Sequence, residues 1–260
     1  MSDNATTQDY AVFDPHAYLQ EYYADIGPEN DALLRFLARA YAGVPADSIV
    51  LDLGGGPTLY ACIVAAGRVR EIHLADYSAA NLEEVRRWLR HDPRAFDWRP
   101  FIRATLAIEG KGTSEREVAA REARVREIVT HLLPCDVKHP CPLGESGRCY
   151  DVVMSNFCAE AAAADRAEWQ VCMANIASLV KPGGRLILSA IKGAKSYGAG
   201  DATFAAVYLT EEDLLHMLGD AGFDPRSVIL ETTPADRPER HYTALMFTTA
   251  TKLPQGITGR

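Results

Sequence analysis

The residues best suited to chemistry form a short glycine-rich stretch, VLDLGGGPTLY, at positions 50–60. An apolar run reaches Asp52, and Gly54 and Gly56 then allow a turn in which no Cβ holds a ligand away from the backbone. A second acidic residue, Asp76, ends the next apolar run, at the spacing of about twenty residues that is typical of ribose recognition. Because a carboxylate there can accept from both ribose hydroxyls, the pattern predicts a nucleoside-containing ligand across two strand ends.

Two cofactors are compatible with this layout. A dinucleotide site needs a third glycine at the position where this chain has Leu59. The pyrophosphate of a dinucleotide would also be repelled by Asp52 beside the loop. S-adenosylmethionine carries no phosphate, and its ammonium group suits acidic neighbours. The loop therefore favours S-adenosylmethionine, with a dinucleotide site or a purely structural turn as the alternatives.

Two more predicted strands end in polar side chains. Asp136 follows the third strand, where a carboxylate can accept a hydrogen bond from the amino group of an adenine ring. Asn156 ends the fourth strand, beside the place where the transferred methyl group is expected. Either residue could equally be an ordinary strand terminus, so their assignment to the cofactor depends on the glycine loop.

These residues need a framework of alternating strands and helices. Short apolar runs predict strands at 49–53, 72–75, 152–154 and 185–190, with further candidates at 227–232 and 242–249. Helical spacing predicts helices at 15–24, 33–41 and 58–66, and another that begins after Ser78 as its N-cap. A charged stretch between 103 and 131 is expected to be a solvated helix packed by one narrow face. The alternation predicts an α/β fold, a doubly wound and mostly parallel sheet with ligand sites at the carboxyl ends of its strands.

Length and charge exclude several classes of function. The chain has 260 residues, which suits a single α/β domain with short appendages. Its formal net charge of −8 predicts repulsion from phosphate backbones and anionic lipid, so neither nucleic acid nor a membrane surface is expected as a partner. No apolar stretch approaches the roughly 20 residues of a membrane span, and the polar start of the chain does not resemble a signal peptide. We therefore expect a cytoplasmic protein, by default a monomer.

Cysteine and histidine usage predicts no metal centre. Cys135, Cys141 and Cys149 cluster loosely with His139, but their spacing matches no zinc motif. In a reducing compartment the six cysteines are expected to be free thiols.

The sequence resembles the S-adenosylmethionine-dependent methyltransferases that include the nicotinamide, phenylethanolamine and indolethylamine (thioether) N-methyltransferases. The resemblance runs over nearly the whole chain, and its N-terminal aromatic stretch and FDW segment are specific to this family among Rossmann-like methyltransferases. It implies a Rossmann-like class I fold, with a single domain at 13–252 made of a helical lid (13–45) and a core (46–252). Residues 1–12 are expected to be a disordered N-terminus and 253–260 a C-terminal tail. The motifs that carry the resemblance are FDPHAYLQEYY at 13–23, DLGGGPTLY at 52–60, DYSAANL at 76–82, WL at 88–89, AFDW at 95–98, CDV at 135–137 and LVKPGG at 179–184.

The resemblance also implies roles for individual residues. Tyr23 would contact the carboxylate of the cofactor's methionine portion. Tyr18 would line the substrate pocket and also contact the cofactor. The implied cofactor contacts are Tyr18, Tyr23, Gly54, Gly55, Thr58, Tyr60, Asp76, Tyr77, Asn81, Asp136, Val137 and Asn156. The implied substrate pocket consists of Tyr18, Phe157, Ser189, Tyr197, Phe204 and Tyr242.

The methyl acceptor is the least defined part of the prediction. The aspartate and serine that help to hold the carboxamide in the nicotinamide enzyme correspond here to Ser189 and Ala206, which argues against nicotinamide. The aromatic pocket favours a flat, nitrogen-containing acceptor larger than nicotinamide. A neutral amine needs little help from a base, whereas an indole carbon or a phenol must lose a proton. The candidate catalytic residues are Tyr18, Glu160 and His241, although Glu160 could simply favour a helix N-terminus and His241 could be a surface histidine.

Three functions are compatible with these residues. N-methylation of a small aromatic metabolite is favoured. C- or O-methylation of an aromatic metabolite, such as a tryptophan-derived indole of secondary metabolism, is the alternative. A cofactor-binding protein without catalysis is the third, and the intact Tyr18, Tyr23, Asp76 and Asp136 argue against it.

Overall fold

A seven-stranded sheet forms the centre of the protein, in a computed structural model that describes residues 9–144, 148–237, 240 and 242–254. The strands of the chain are β1 (Ile49–Leu53), β2 (Glu71–Asp76), β3 (Val129–Pro134), β4 (Tyr150–Asn156), β5 (Val180–Lys192), β6 (Ser196–Ala199), β7 (Ala202–Ala205), β8 (Ile229–Pro234) and β9 (Ala244–Thr251). The large sheet has the order β3-β2-β1-β4-β5-β9-β8, in which β9 alone runs in the opposite direction to the other strands. Strands β6 and β7 form a separate hairpin. The predicted doubly wound fold is confirmed, and the strand order reverses between β1 and β4, where such sheets bind ligands.

Helices cover both faces of the sheet. They are α1 (Pro15–Tyr23), α2 (Gly27–Ala40), α3 (Tyr60–Ala65), α4 (Ala79–Leu89), α5 (Arg99–Ile108), α6 (Glu115–Ile128), α7 (Ala159–Ala162), α8 (Arg166–Ser178) and α9 (Glu211–Asp220). The apolar sides of α2 to α6 pack on one face, and those of α8 and α9 pack on the other. The central strands are therefore buried on both sides, which explains why they consist of continuous apolar runs.

The expected helical lid divides into two parts. Asp14 caps α1 by accepting from the backbone N–H groups of His16 and Ala17, and α1 then contacts β6 and α4 beside the large sheet. In contrast, α2 buries Leu33 and Leu37 against α3 and α5, as deeply as any side chain of the sheet. Because α2 belongs to the core, only α1 has the position of a cover over the strand ends.

The charged stretch between 103 and 131 is more divided than predicted. Gly110 adopts a positive φ of 69°, a conformation that ends helices, and α5 stops just before it. A capping box between Ser114 and Glu117 then starts α6. Its buried positions, which include Val118 and Val125, form the narrow face that was predicted. The last residues of the stretch belong to β3 instead of to the helix.

Other local predictions also need correction. Ser78 lies at the N-cap of α4, but its side chain makes no capping hydrogen bond, and its backbone N–H donates to the Asp76 carboxylate. Residues 181–184, where a turn was expected, belong to the beginning of β5. The β6–β7 hairpin was not predicted, since strands of four residues are too short to show an alternating pattern.

The end of the segment 1–12, for which disorder was expected, has a defined conformation. Tyr10–Val12 forms a short 3-10 turn, which corrects the expectation for these three residues, while residues 1–8 and 255–260 lie outside the described ranges. All six cysteines are described and are free thiols, as predicted. Among the described residues, no helix combines the length and apolar character needed to cross a bilayer.

Candidate active site

A cavity of about 300 Å³ lies at the carboxyl ends of β1, β2 and β4, under α1 and beside the first turn of α2. Residues that are far apart in the chain meet there, because parallel strands bring their carboxyl ends to one edge of the sheet. Most of the residues selected from the sequence line this cavity: Tyr18, Tyr23, Gly54, Gly55, Thr58, Tyr60, Asp76, Tyr77, Asn81, Asp136, Val137, Asn156, Phe157, Glu160, Tyr197 and Tyr242.

The glycine loop has the conformation that its sequence predicts. Gly54 and Gly56 have positive φ angles of 68° and 61°, which side chains rarely tolerate. A Cβ on Gly54 would collide with the sulfur of Cys158, and a Cβ on Gly55 would lie 3.1 Å from the carboxyl carbon of Asp52. The loop therefore brings bare backbone to the cavity, as close approach of a ligand requires.

The Asp76 carboxylate is held firmly at the end of β2. One oxygen accepts from the N–H of Gly56 at 2.8 Å, and the other accepts from the N–H of Ser78 at 2.8 Å and from the Asn81 amide at 2.9 Å. Burial raises the pKa of Asp76, while these three donors act in the opposite direction. Since a carboxylate has about four acceptor positions, one remains for a ligand hydroxyl. The same side chain thus joins the loop to β2 and faces the cavity.

Asp52 lies behind the loop instead of in the cavity wall. It is almost fully buried, and burial raises the pKa of its carboxyl group to about 7. One oxygen lies 3.5 Å from the sulfur of Cys62, and the other has no hydrogen-bond partner in the part of the chain that the structure describes. Asp52 therefore supports Gly55 from below, and the idea that its charge faces the cofactor's ammonium group is wrong for this geometry.

Tyrosines from α1 and α3 form one wall. The rings of Tyr23 and Tyr60 stack with centroids 5.4 Å apart, and Tyr18 packs against Tyr23 at 5.8 Å. Loss of hydration raises the pKa of all three hydroxyls well above the ordinary value, so they stay protonated. Tyr18 can accordingly shape the pocket or donate a hydrogen bond, but it cannot serve as a base near neutral pH.

Glu160 is a buried carboxyl group in the cavity wall. It belongs to the short helix α7 after β4, is 1% exposed, and accepts from the N–H of Ile191 at 2.9 Å. Burial raises its pKa to about 7. A carboxyl group with this pKa can take up or release a proton near neutral pH, which ordinary surface glutamates cannot do.

The end of β4 presents an amide that is oriented from the next strand. The hydroxyl of Ser189 donates to the side-chain oxygen of Asn156 at 2.6 Å. The amide nitrogen of Asn156 is buried and finds no hydrogen-bond partner among the described residues. Phe157 follows with a φ of 56°, a strained conformation that accumulates at functional sites. Ser189 was expected to line the substrate pocket, and this is wrong, because it is fully buried behind Asn156.

Phe204 is also misplaced by the sequence prediction. It is buried in the β6–β7 hairpin and stacks on Tyr197 and Tyr10, at 5.4 Å from each, without lining the cavity. Tyr10, which was not predicted, does line the cavity, and its hydroxyl donates to the backbone oxygen of Ala161 at 2.8 Å. Tyr10 lies before the aromatic motif at 13–23, in a segment expected to be disordered, so no sequence pattern indicated its role.

A polar group at the far side of the cavity was missed altogether. The buried Glu29, in the first turn of α2, accepts from the Tyr242 hydroxyl at 2.6 and 2.8 Å and from the N–H of Asp236 at 3.1 Å. The Arg240 guanidinium lies 3.6 Å from Glu29 and 4.2 Å above the Tyr22 ring. No spacing in the sequence links positions 29 and 242. The third catalytic candidate, His241, lies outside the described residues.

These contacts fit S-adenosylmethionine. The loop offers bare backbone, Asp76 and Asn81 offer polar atoms at the end of β2, and Asp136 and Val137 follow β3, where an adenine ring is expected. The buried amide nitrogen of Asn156, which has no partner among the described residues, and the neutral hydroxyls of Tyr23 and the tyrosines bonded to it are hydrogen-bond donors suited to a carboxylate.

Comparisons with known proteins agree with this geometry. The model of the NNMT/PNMT/TEMT family matches residues 3–253. The phenylethanolamine N-methyltransferase of Bos taurus is 36% identical over 228 residues, covering 82% of this chain and 78% of its own. The nicotinamide N-methyltransferase of Homo sapiens is 33% identical over 221 residues, covering 81% and 82%. Among solved structures, the magnesium protoporphyrin IX methyltransferase of Synechocystis with bound cofactor superposes with a TM-score of 0.59, at 15% identity, over 96% of this chain and 100% of that one, which shows a shared fold.

Proposed function

Because the chain belongs to the NNMT/PNMT/TEMT family, it is a methyltransferase that uses S-adenosylmethionine and acts on a small molecule, and we propose that its methyl acceptor is an amine that carries an aromatic ring and is larger than nicotinamide. The single observation that carries this proposal is Glu160, an acid buried in the wall of an aromatic cavity with a pKa near neutrality. The relatives named above act on phenylethanolamine and on nicotinamide, and the pocket of this chain suits the first kind of molecule better.

The cofactor would lie along the strand ends. Asp76 and Asn81 would hold its ribose, Asp136 and Val137 its adenine, and Tyr23 with Asn156 its methionine portion. When bound, S-adenosylmethionine supplies a methyl group on a positively charged sulfur. The protein positions the two reactants and excludes water, which lowers the activation free energy by on the order of 7–11 kcal/mol in well-oriented reactions.

Glu160 would control the protonation of the acceptor. An alkylamine is an ammonium ion in water and has no free lone pair, so it must lose a proton before it can accept a methyl group. The Glu160 carboxylate can receive that proton through a hydrogen bond, because its raised pKa brings it closer to that of the amine than an exposed carboxylate. The same group could remove a proton from a phenol or an indole, which keeps C- or O-methylation of an aromatic metabolite as the second candidate.

The residues at the nicotinamide-specific positions support a different acceptor. Ala206 lines the cavity without a polar group, and the hydroxyl of Ser189 is directed to Asn156. A carboxamide would therefore enter this part of the pocket without partners, which costs affinity. At the opposite side, Glu29 accepts from the Tyr242 hydroxyl and so orients it, and the oxygen of this hydroxyl can accept a hydrogen bond from a donor at the distal end of the methyl acceptor.

A panel of acceptors tests the proposal. Purified protein is given S-adenosylmethionine and equal concentrations of phenylethylamines, indolethylamines, phenols, indole and nicotinamide, and products are identified by mass spectrometry. We expect N-methylated arylalkylamines to form at least tenfold faster than methylated nicotinamide. Preference for nicotinamide would contradict our interpretation of the pocket, and methylation at carbon or oxygen would favour the second candidate.

We also infer that the protein works as a cytoplasmic monomer without nucleic acid or membrane partners. The support is its net charge of −8 and the absence of a membrane-crossing helix among the described residues. Light scattering coupled to size-exclusion chromatography tests the oligomeric state, and a mass near 28.4 kDa is expected.

A further inference from the structure

Three metal-ligating side chains meet at the edge of the sheet, towards the amino ends of β2 and β3. Glu71 and His73 belong to β2, and His131 belongs to the edge strand β3. One ligand atom from each lies within 4.8 Å of the other two. The methyl-transfer cavity is at the carboxyl ends of the strands, and none of the three residues lines it. The cluster therefore needs an explanation of its own.

A β-bulge creates this cluster. Ile72 pairs with Val129, but His73 pairs with His131, so Thr130 is an extra residue in β3. Without the bulge His73 would face Thr130, and His131 would point to the other side of the sheet, because side chains alternate along a strand. The shift brings the two imidazole rings to a centroid distance of 4.2 Å on the same face as Glu71. Bulges that redirect a side chain in this way are typical of functional sites.

The distances suit a small divalent ion. The Glu71 carboxylate oxygen Oε1 lies 2.9 Å from Nε2 of His73 and 3.7 Å from Nδ1 of His131. Ligands bonded at about 2.0–2.1 Å in a tetrahedron around zinc are roughly 3.3 Å apart, so shifts of less than about 1.5 Å would complete the geometry. Two histidines and one carboxylate form a frequent zinc ligand set, in which water takes the fourth position.

The surroundings prepare two of the ligands. In this structure Nδ1 of His73 accepts from the Arg148 guanidinium, so Nε2 carries the ring proton and donates it to Oε1 of Glu71 at 2.9 Å. A metal that binds at Nε2 would displace this proton, and the ring proton would then lie on Nδ1, where the Tyr150 hydroxyl, 3.0 Å away, can accept it. The Thr130 hydroxyl donates to Oε1 of Glu71 at 2.6 Å and lies 2.8 Å from Nδ1 of His131, so it holds these two side chains beside each other. Arg148 opposes metal binding, since its guanidinium lies 3.1 Å from Nδ1 of His73 and adds a positive charge.

An ion can reach these side chains from solvent. The side chain of His131 is 47% exposed and that of Glu71 is 25% exposed, whereas that of His73 is 6% exposed. We propose that Glu71, His73 and His131 bind one zinc ion, or another transition-metal ion of similar preference, which ties the edge strand β3 to β2 independently of methyl transfer. Because the ion binds the folded chain, it should raise thermal stability.

Metal titration of the full chain tests this proposal. After treatment with a chelator and its removal, zinc is titrated in a calorimeter, and cobalt(II) serves as a spectroscopic probe. We expect one equivalent of zinc to bind, a higher melting temperature, and a cobalt spectrum of tetrahedral type without the near-ultraviolet thiolate band that binding to cysteines would produce. A thiolate band at one equivalent, or no saturable binding, would overturn the proposal.

Single substitutions test whether these three side chains are the ones that bind zinc. His131→Ala and Glu71→Gln should each weaken zinc binding at least tenfold and remove the zinc-dependent rise in melting temperature, whereas His216→Ala, which removes an exposed histidine of α9, should change neither. Arg148→Gln should strengthen binding, because it removes a cation and a competing donor, and Tyr150→Phe should weaken it. Methyl transfer by His131→Ala should equal that of the unaltered protein. If His131→Ala binds zinc as tightly as His216→Ala does, the three side chains form only a hydrogen-bonded cluster.

Discussion

The two ends of the methyl-transfer cavity are built in different ways. The cofactor end comes from β1, β2 and the loops that follow them, and its polar groups are backbone atoms and side chains that hold one another in place, as Asp76 does with Gly56 and Asn81. The acceptor end is assembled from α1, α2, α7, the β6–β7 hairpin and the segment before β9. Its surface is mostly aromatic, with Glu160 and Glu29 as buried acids.

This difference separates what is common to many methyltransferases from what is particular to this chain. A strand end and a tight turn leave little freedom, so the geometry of the cofactor end follows from the fold, which this chain shares with a methyltransferase of 15% sequence identity. Insertions and termini can change without disturbing the sheet. We therefore expect the acceptor end to carry the choice of substrate.

The largest effect is expected from Glu160→Gln. If Glu160 receives a proton from the acceptor, kcat should fall by about 10²-fold or more, with little change in cofactor affinity. Activity of the unaltered protein should rise as the pH increases through about 7, because the carboxylate is then the prevailing form. This rise should be absent in the variant.

The matched control is Glu212→Gln, on the exposed side of α9, which should leave both kcat and the pH profile unchanged. A decrease of less than about tenfold in Glu160→Gln would mean that the reaction needs only positioning, since a working general base contributes more than this.

Asp76→Ala should produce the next largest effect, at the other end of the cavity. Loss of a charge-assisted hydrogen bond to the ribose, and of the carboxylate that holds Gly56 and Asn81 in place, should weaken binding of S-adenosylhomocysteine by about 1.5–3 kcal/mol. Calorimetric titration measures this, with the exposed Asp220→Ala as the control. Unchanged affinity would remove Asp76 from the cofactor site.

A smaller effect is expected from Glu29→Gln at the acceptor end. The substitution keeps the shape but removes the charge that orients the Tyr242 hydroxyl and pairs with Arg240, so KM for an arylalkylamine should rise by roughly tenfold, about 1.4 kcal/mol. Affinity for S-adenosylhomocysteine should not change. Glu21→Gln, an exposed residue of α1, is the control, and a loss of cofactor affinity in Glu29→Gln would show that the two ends are not independent.

The smallest effect is expected from Ser189→Ala. Without the hydroxyl, the Asn156 amide loses its orientation, and S-adenosylhomocysteine should bind about two- to fivefold more weakly, on the order of 0.5–1 kcal/mol. Binding of 5′-methylthioadenosine, which lacks the amino-acid portion, should stay the same. Thr248→Val removes another buried hydroxyl outside the cavity and should affect neither ligand. Equal losses for both ligands would indicate a general structural role for Ser189.

Local sequence patterns were enough to predict the fold, the family and the cofactor loop. Strands β1, β2 and β4, the turn at Gly54 and the acid at Asp76 follow from short-range patterns, because apolar runs, glycine and spacing along a β-α-β unit act within about thirty residues. Glu160 was also found in this way, as an acid just after β4. Its burial, and with it the raised pKa, could not be predicted from its neighbours in the chain.

Which side chains meet across long separations in the chain depends on how the whole sheet packs. Ser189 is directed to Asn156 by strand register, Glu29 reaches Tyr242 because α2 packs beside the segment before β9, and His131 joins His73 through a one-residue bulge. A shift of one residue in register turns a side chain to the opposite face of a sheet. Local sequence patterns do not specify such shifts, because packing across the whole sheet selects among them.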